Sequence, residues 1–136
     1  MIFVDTSAFL AIVNEKDNNH IAAKNFLGEI KNGKARVKKI ITSDYIIDEA
    51  LTRIRYSAGH KEAVKWGKDI LASRVVEKIE VGKDIFELAW EIFETYEDKK
   101  LSFTDCTSFA LMKIKNIEKV FSFDKDFMNL GFILMP

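Results

Sequence analysis

The length, composition and charge of the chain are those of a globular protein with no net excess of either charge. It has 136 residues, of which 48% are hydrophobic and 11 are phenylalanine, so it can build the core of one compact domain and is short for two. Twenty-one lysines and arginines balance 21 aspartates and glutamates, and this zero net charge excludes a polycation that binds nucleic acid through bulk charge alone.

Hydrophobic periodicity and turn residues predict that strands alternate with helices along the chain. The first strand is the apolar run Ile2-Phe3-Val4, and Asn19 is a candidate cap for the second helix, which Gly33 would end. Ser43 and Asp44 are both candidate caps for the helix after the second strand. In chain order the predicted elements are a strand over 2–4, helices over 7–14 and 20–32, a strand over 37–42, helices over 44–58 and 61–72, a strand over 75–81, helices over 84–96 and 103–114, and strands over 120–122 and 132–134.

This alternation predicts the fold class. Strands separated by helices form parallel βαβ units with right-handed crossovers. The chain has no internal repeat, no low-complexity segment and no linker, and its one proline is the last residue. We therefore expect an α/β fold in which a single domain, residues 1–136, forms a three-layer α/β/α sandwich around a central parallel sheet.

Acidic residues follow several of the predicted strands. Asp5 ends the first strand, Asp124 and Asp126 follow the fourth, and Asp105 opens the helix before the fourth. Because ligands bind at the shared carboxyl edge of an open parallel sheet, we expect these carboxylates to converge there. Clustered carboxylates raise one another's pKa unless a cation neutralises them, and oxygen ligands suit Mg²⁺ or Mn²⁺. Zinc is disfavoured because the chain has only two histidines.

Each of these residues also has a purely structural interpretation. Asp5 could cap a helix, and Asp105 could stand in a first turn because the helix dipole favours an acid there. The two aspartates after the fourth strand could simply form a turn. Helical periodicity does not separate Asp48 from Glu49, since both lie on the polar side of the same predicted helix.

Four short blocks combine the acidic residues with hydroxyl residues. They are 2–7 (Ile-Phe-Val-Asp-Thr-Ser), 42–49 (Thr-Ser, then five residues, then Glu49), 101–105 (Leu-Ser-Phe-Thr-Asp) and 120–127 (Val-Phe-Ser-Phe-Asp-Lys-Asp-Phe). In this order, over almost the whole chain, they resemble the PIN domain, and specifically the VapC-type toxin ribonucleases of prokaryotic toxin–antitoxin pairs. The resemblance selects Glu49 over Asp48.

The resemblance implies an endoribonuclease that depends on Mg²⁺ or Mn²⁺. It implies that the catalytic and metal-binding carboxylates are those of Asp5, Glu49, Asp105 and Asp124, with Asp126 as a supporting or substitute ligand. The hydroxyl groups that would position these carboxylates or the phosphate belong to Thr6, Ser43, Thr104 and Ser122. Arg53, about one helical turn beyond Glu49, and Arg55 are candidate contacts to the RNA backbone, or else ordinary exposed helix arginines.

The resemblance also implies protein partners. Members of the family form homodimers, and a segment of a cognate antitoxin covers the acidic groove and holds the toxin inactive. Apolar side chains of the first helix could supply such surfaces or pack into the core; these are Phe9, Leu10, Ile12 and Val13. The same carboxylates are compatible with a tRNA, an rRNA or an mRNA target.

The zero net charge is a cancellation between the two halves of the chain. Residues 1–68 carry 12 basic and 8 acidic residues, whereas residues 69–136 carry 9 basic and 13 acidic residues. The basic residues are densest at Lys31, Lys34, Arg36, Lys38 and Lys39. This segment is either a solvated face or a patch that contacts phosphates.

Cysteine content and hydropathy predict the compartment. The one cysteine, Cys106, excludes an intrachain disulfide and a CxxC metal site, and it fits a reducing environment. The longest apolar run, Ala8–Val13, is far shorter than the roughly 20 residues of a membrane span. We expect a soluble, cytoplasmic protein that does not bind membranes.

Two other functions compete with the nuclease. A non-catalytic PIN-like module for RNA binding or assembly would gain nothing from four mutually repelling carboxylates. A phosphotransferase that uses Asp5 as its nucleophile would need a second aspartate two positions later, where this chain has Ser7.

Overall fold

The computed structural model describes all residues from Met1 to Pro136. It contains five strands and seven helices that alternate much as predicted. In chain order they are β1 (Ile2–Val4), α1 (Thr6–Val13), α2 (His20–Lys31), β2 (Ile40–Ser43), α3 (Asp44–Ala58), α4 (His60–Ala72), β3 (Val76–Ile79), α5 (Lys83–Thr95), α6 (Phe103–Ile114), β4 (Lys119–Phe121), α7 (Asp126–Asn129) and β5 (Ile133–Met135).

The strands form one parallel sheet in the order β3-β2-β1-β4-β5. β1 lies at its centre, and Ile2 is in register with Ile40 of β2 on one side and Lys119 of β4 on the other. All three residues of β1 are buried, as expected for a central parallel strand covered on both faces. The predicted single α/β domain with a central parallel sheet flanked by helices is confirmed.

Strand β2 begins three residues later than the β-branched pattern of 37–42 predicts. Gly33 and Arg36 have positive φ angles of 80° and 51°, and they form a turned connection after α2. Residues before Ile40 have no ladder partner because β1 itself starts at Ile2, whose N–H donates to the carbonyl of Lys39. The length of the neighbouring strand, which local sequence does not report, therefore sets where β2 starts.

The short helix α7 is an element that the sequence pattern did not predict. Its first N–H, that of Asp126, donates to Oδ1 of Asp124, and this bond starts the turn. Phe127 is fully buried and its ring packs edge-on against Phe109 at a centroid distance of 4.9 Å. A four-residue helix is too short to show a hydrophobic period, so tertiary packing alone holds it in place.

The first helix contributes Ala8, Phe9 and Ala11 to the core. Phe9 is buried and contacts Trp66 of α4 edge-on, with ring centroids 5.2 Å apart. Leu10, Ile12 and Val13 are only half-buried, and they pack at the margin of the core. Core packing, one of the two roles predicted for these four residues, therefore applies to Phe9. The other three leave part of their apolar surface exposed to solvent.

A serine cap starts helix α3 at the carboxyl edge of the sheet. Ser43 is the cap of α3, since its Oγ accepts from the N–H of Ile46 at 3.1 Å. The carboxylate of Asp44 instead accepts from the N–H groups of Tyr45 and Val81.

No helix of the structure has the length and apolar character needed to cross a membrane.

Candidate active site

One open cavity of about 550 Å³ lies at the carboxyl edge of the sheet. Its lining comes from the ends of β1 and β4, from the body of α3 and from the N-termini of α2 and α6. The lining residues are Asp5, Thr6, Ser7, Asn19, Glu49, Arg53, Ser102, Asp105, Phe123 and Asp124. The structure therefore brings together the four carboxylates that sequence analysis expects to share a site.

Asp5 is the most buried of these carboxylates, with 5% of its surface exposed. Its Oδ2 accepts from the hydroxyls of Ser122 at 2.9 Å and Ser7 at 3.0 Å, and from the N–H of Ser7 at 3.4 Å. Burial raises the pKa of Asp5 above its ordinary value, and the hydrogen bonds from Ser122 and Ser7 oppose that rise only in part. Asp5 both caps α1 and lines the cavity, so its structural role as a cap is compatible with a role in the site.

Ser7 joins the ends of two strands, a role that sequence analysis missed. Its Oγ donates to Asp5, accepts from the N–H of Phe123 at 3.0 Å, and lies 3.0 Å from the Oγ of Ser122. Ser122 in turn accepts from the N–H of Asp124 at 3.0 Å. The available signal was a serine two residues after a strand-terminal aspartate, a spacing that favours side chain–backbone capping.

Asp105 lies at the third position of α6, where it completes a capping box. The N–H of Ser102 donates to Oδ2 of Asp105, and the N–H of Asp105 donates to Oγ of Ser102, both at 3.0 Å. Burial raises the pKa of Asp105 to about 6, and the negative charges of Asp5 and Asp124 add to that rise. The repulsion indicates that the carboxylates share one electrostatic environment without a protein cation strong enough to neutralise it.

The two aspartates after β4 have different surroundings. Asp124 lines the cavity, and its Oδ1 accepts from the N–H of Asp126 at 2.9 Å. Asp126 stands in the first turn of α7, where Oδ1 accepts from the side chain of Asn129, and it does not line the cavity. The structure thus groups Asp124, and not Asp126, with the other three carboxylates.

Helix α3 supplies Glu49 and Arg53, which are one turn apart and both line the cavity. Asp48, next to Glu49, is exposed and lies outside it. Arg55 lines a second cavity of about 450 Å³ between α3 and α4, where His60 is a neighbour. Of the two candidate RNA-contacting arginines, only Arg53 is therefore placed beside the carboxylates.

The hydroxyl residues of the four blocks do different things. Ser122 holds Asp5, whereas buried Ser43 serves as a helix cap away from the cavity lining. Thr104 is outside the cavity lining, and its carbonyl accepts from the hydroxyls of two residues in the next turn of α6. Thr6 lines the cavity, and its Oγ1 is the one buried side-chain polar atom without a hydrogen-bond partner.

Asn19 is a further cavity residue that sequence analysis considered only as a helix cap. It precedes α2, but its side chain makes no capping hydrogen bond. Its amide is free to contact a ligand in the cavity. A polar residue at a predicted helix start reads as a cap from sequence, so no local signal distinguishes the two roles.

The donors in the cavity fit a hard divalent cation. Asp5, Asp105 and Asp124 each use one carboxylate oxygen for the serine or backbone hydrogen bonds described above, so the other oxygen is left for a ligand. All available donors are oxygens, which suits Mg²⁺ or Mn²⁺. No three His, Cys, Asp or Glu side chains stand close enough to form a closed metal cage, so ion binding would have to draw the carboxylates together.

Comparison with known proteins identifies the family. The model of the PIN domain matches residues 2–133 of the chain. The chain belongs to the PIN-domain family. The 23S rRNA-specific endonuclease VapC20 of Mycobacterium tuberculosis is 35% identical to this PIN domain over 133 residues, which are 98% of this chain and 96% of VapC20. The expected resemblance to VapC-type toxins is confirmed.

Solved structures support the same assignment. The crystal structure of M. tuberculosis VapC20, described as a toxin that cleaves the sarcin–ricin loop, superposes on this PIN domain with a TM-score of 0.90 at 34% identity, over the full length of both chains. FitAcB of Neisseria gonorrhoeae (TM-score 0.74, 12% identity, 100% of this chain and 97% of its own) shares the fold. VapBC2 of Rickettsia felis, bound to a DNA fragment from its promoter, also shares it (TM-score 0.71, 17% identity, 98% and 97%).

Proposed function

We propose that this PIN domain is a VapC-type toxin that cleaves 23S rRNA within the sarcin–ricin loop, in a reaction that needs Mg²⁺ or Mn²⁺. The observation that carries the proposal is the meeting of Asp5, Glu49, Asp105 and Asp124 in one open cavity at the carboxyl edge of the sheet. The rRNA target follows from similarity to VapC20, whose 35% identity extends over 98% of this chain.

Asp5, Glu49, Asp105 and Asp124 would hold the ion. When bound, the ion lowers the pKa of a water nucleophile and stabilises negative charge on the scissile phosphate and the leaving oxygen. Ser7 and Ser122 fix the carboxylate of Asp5 before any ligand enters, which lowers the reorganisation that binding requires. Arg53 is exposed beside Glu49 and is available to contact an RNA phosphate.

The raised pKa values favour the nuclease over a non-catalytic module. Burying ionisable carboxylates without a cation is unfavourable, and burial is the largest cause of the raised pKa at both Asp5 and Asp105. Carboxylates perturbed by burial and by one another, in an open cleft, are typical of a catalytic site. An RNA-binding module would be more stable with neutral residues at these positions.

Cleavage of the loop by the purified, antitoxin-free chain tests the proposed function. With Mg²⁺ or Mn²⁺ we expect one dominant cut in a stem–loop RNA that carries the sarcin–ricin sequence, mapped by primer extension. A stem–loop of equal length with an unrelated loop is the control and should stay intact. RNA that is bound but left uncut with either metal would refute the nuclease assignment and favour the non-catalytic module.

We also propose a cognate antitoxin that covers the acidic cavity. Arg53 is the only basic residue among the ten that line the cavity, whereas four are carboxylates. A protein segment that carries arginine or lysine would complement this charge and occlude the path of the RNA. The open shape of the cavity at the edge of the sheet leaves room for such a segment.

We propose a homodimer that buries an aromatic stripe on α5. Phe86, Trp90 and Phe93 lie on one helix face and are 44%, 51% and 44% exposed. They form one aromatic cluster with Phe103, whose ring centroid is 5.0 Å from that of Phe86. Exposed contiguous aromatic residues are typical of protein interfaces.

Substitution of the stripe tests the homodimer. We expect Trp90→Asp to convert the protein from a dimer to a monomer in light scattering, because it places a charge in the buried contact. Tyr56→Asp, which changes an aromatic residue that is 87% exposed on α3, is the matched control and should remain dimeric. A wild-type chain that is monomeric at high micromolar concentration would contradict this assembly.

A further inference from the structure

The amino edge of the sheet, opposite the acidic cavity, carries a concentration of positive charge that the proposed function does not use. β2 begins directly after Lys38 and Lys39, and β4 begins with Lys119. Ile40 and Lys119 are both register partners of Ile2, so β1 alone separates them, by about 10 Å. The basic segment of residues 31–39 therefore continues across the sheet onto lysines from a distant part of the chain.

The crossover helices bring further basic residues to the same edge. Helix α6 starts at the acidic cavity and ends at the amino edge, where Lys113 and Lys115 stand in and after its last turn. We call the group of six residues Lys34, Arg36, Lys38, Lys113, Lys115 and Lys119 the amino-edge basic surface. All but half-buried Lys119 are exposed.

The six side chains of this surface have no partners within the protein. The three salt bridges of the structure involve Lys39 with Glu77, Lys83 with Glu87 and Lys99 with Asp98, and none includes a member of the surface. None of the six side chains donates a hydrogen bond either. No salt bridge or hydrogen bond therefore engages these charges, and the acidic residues beside them are Glu118, next to Lys119 in the chain, and Glu80 and Asp84, which share a small cavity with Lys115.

Local structural roles do not explain the surface. The dipole at a helix C-terminus accounts for a cation in the last turn of α6, such as Lys113. It does not account for Lys34, Arg36 and Lys38, which lie in the connection before β2. Arg36 has a φ of 51°, a left-handed conformation that glycine adopts at lower energetic cost, so backbone geometry does not favour an arginine there.

We infer that the amino-edge basic surface is a second RNA-contacting site, which binds backbone phosphates remote from the scissile bond. The inference rests on the proposed rRNA substrate, because a large folded RNA offers phosphates well beyond the cleaved loop. The amino edge is basic on balance, with Glu77 and Glu118 outnumbered by lysine and arginine, whereas carboxylates predominate in the cavity. Long-range attraction of RNA would therefore come from the amino edge, and the acidic cavity would bind only the scissile segment. A short stem–loop that fits the cavity alone would not reach this surface.

Salt-dependent binding of a long and a short RNA tests the inference. The test variant carries Lys34→Gln, Lys38→Gln and Lys115→Gln. The control variant carries Lys61→Gln, Lys65→Gln and Lys68→Gln, which remove the same charge from exposed positions on α4. Both are made in the Asp105→Asn background so that the RNA stays intact, and affinity is measured by fluorescence anisotropy for a long 23S rRNA fragment and for the minimal stem–loop.

For the long fragment, we expect the slope of log Kd against log salt to fall by about 2 in the test variant, since each lost phosphate contact contributes about 0.7 to 0.9. The affinity difference from the parent then changes about 16-fold between 50 and 200 mM salt. The control variant and the minimal stem–loop should show no such change.

Equal slopes for the test and control variants would overturn the inference. So would an equal loss of affinity on the stem–loop, or a test variant that binds the long fragment as tightly as its parent. Because binding is read without cleavage, these outcomes are separate from those of the proposed function. Absence of cleavage by the wild-type chain contradicts the nuclease, and equal slopes contradict only the second site.

Discussion

Replacing Asp5 with asparagine is expected to abolish RNA cleavage while the protein stays folded. The amide keeps an oxygen that can accept from Ser7 and Ser122, so the capping of α1 and the link to β4 persist. The negative charge that would bind the ion is lost, and we expect cleavage to fall by about 10³-fold, which corresponds to about 4 kcal/mol of transition-state stabilisation.

The thermal stability of the Asp5→Asn protein separates a catalytic from a structural defect. Since burial raises the pKa of Asp5, the metal-free fold disfavours the charged carboxylate, and the neutral amide removes that cost. The melting temperature should therefore be equal to or higher than that of the wild type. Asp48→Asn, at an exposed carboxylate next to Glu49, is the matched control and should cleave normally. Normal cleavage by Asp5→Asn would show that the carboxylate cluster is not the catalytic site.

Addition of Mg²⁺ or Mn²⁺ is expected to stabilise the folded protein. At a metal concentration 100 times its Kd, the free energy of unfolding should rise by about 2.7 kcal/mol. For a domain of this size that is a rise in melting temperature of about 10 °C. Chelator should reverse the rise and stop cleavage. In the Asp105→Asn protein the metal should raise the melting temperature little, and an undiminished rise would place the ion elsewhere.

The stabilisation by metal should depend on pH because a metal ligand must lose its proton. The pKa of Asp105 is raised to about 6, above its ordinary value of 3.8, so protons compete with the ion below about pH 6. The metal-dependent shift in melting temperature should be full at pH 8 and decline as pH falls through 6. Without metal, stability depends on pH in the opposite direction. The stability contributed by protonated Asp105 is present below about pH 4 and is lost as pH rises through about 6.

Strand ends allow part of the candidate site to be predicted from the sequence alone. Asp5 and Asp124 could be predicted as neighbours because each follows a strand, and parallel strands bring their carboxyl ends to one edge. Asp105 could be added because the capping box predicts the start of α6. Glu49 was different, since helical periodicity places Asp48 and Glu49 equally far from the apolar face of the helix, and only the family resemblance separated them.

Residues that link distant segments could not be predicted in the same way. The Oγ atoms of Ser7 and Ser122 are 3.0 Å apart although 115 residues separate them in the chain. That distance depends on the pairing of β1 with β4, and local patterns do not report which strands pair. The same reason applies to Asn19, which reads as a helix cap until the fold places it beside the carboxylates.

The sequence by itself determined the fold class, because hydrophobic period and strand ends are local features, and the order of its motifs selected the four candidate carboxylates through the family resemblance. Only the tertiary structure decided that Asp124 lines the cavity while Asp126 starts α7, and that Arg53 stands beside the acids while Arg55 lines another cavity. It also decided how the acidic and basic residues that cancel in the net charge are distributed over the molecule. Strand order and helix direction place the carboxylates at one edge of the sheet and unpaired lysines at the other, and neither is encoded in the count of charges.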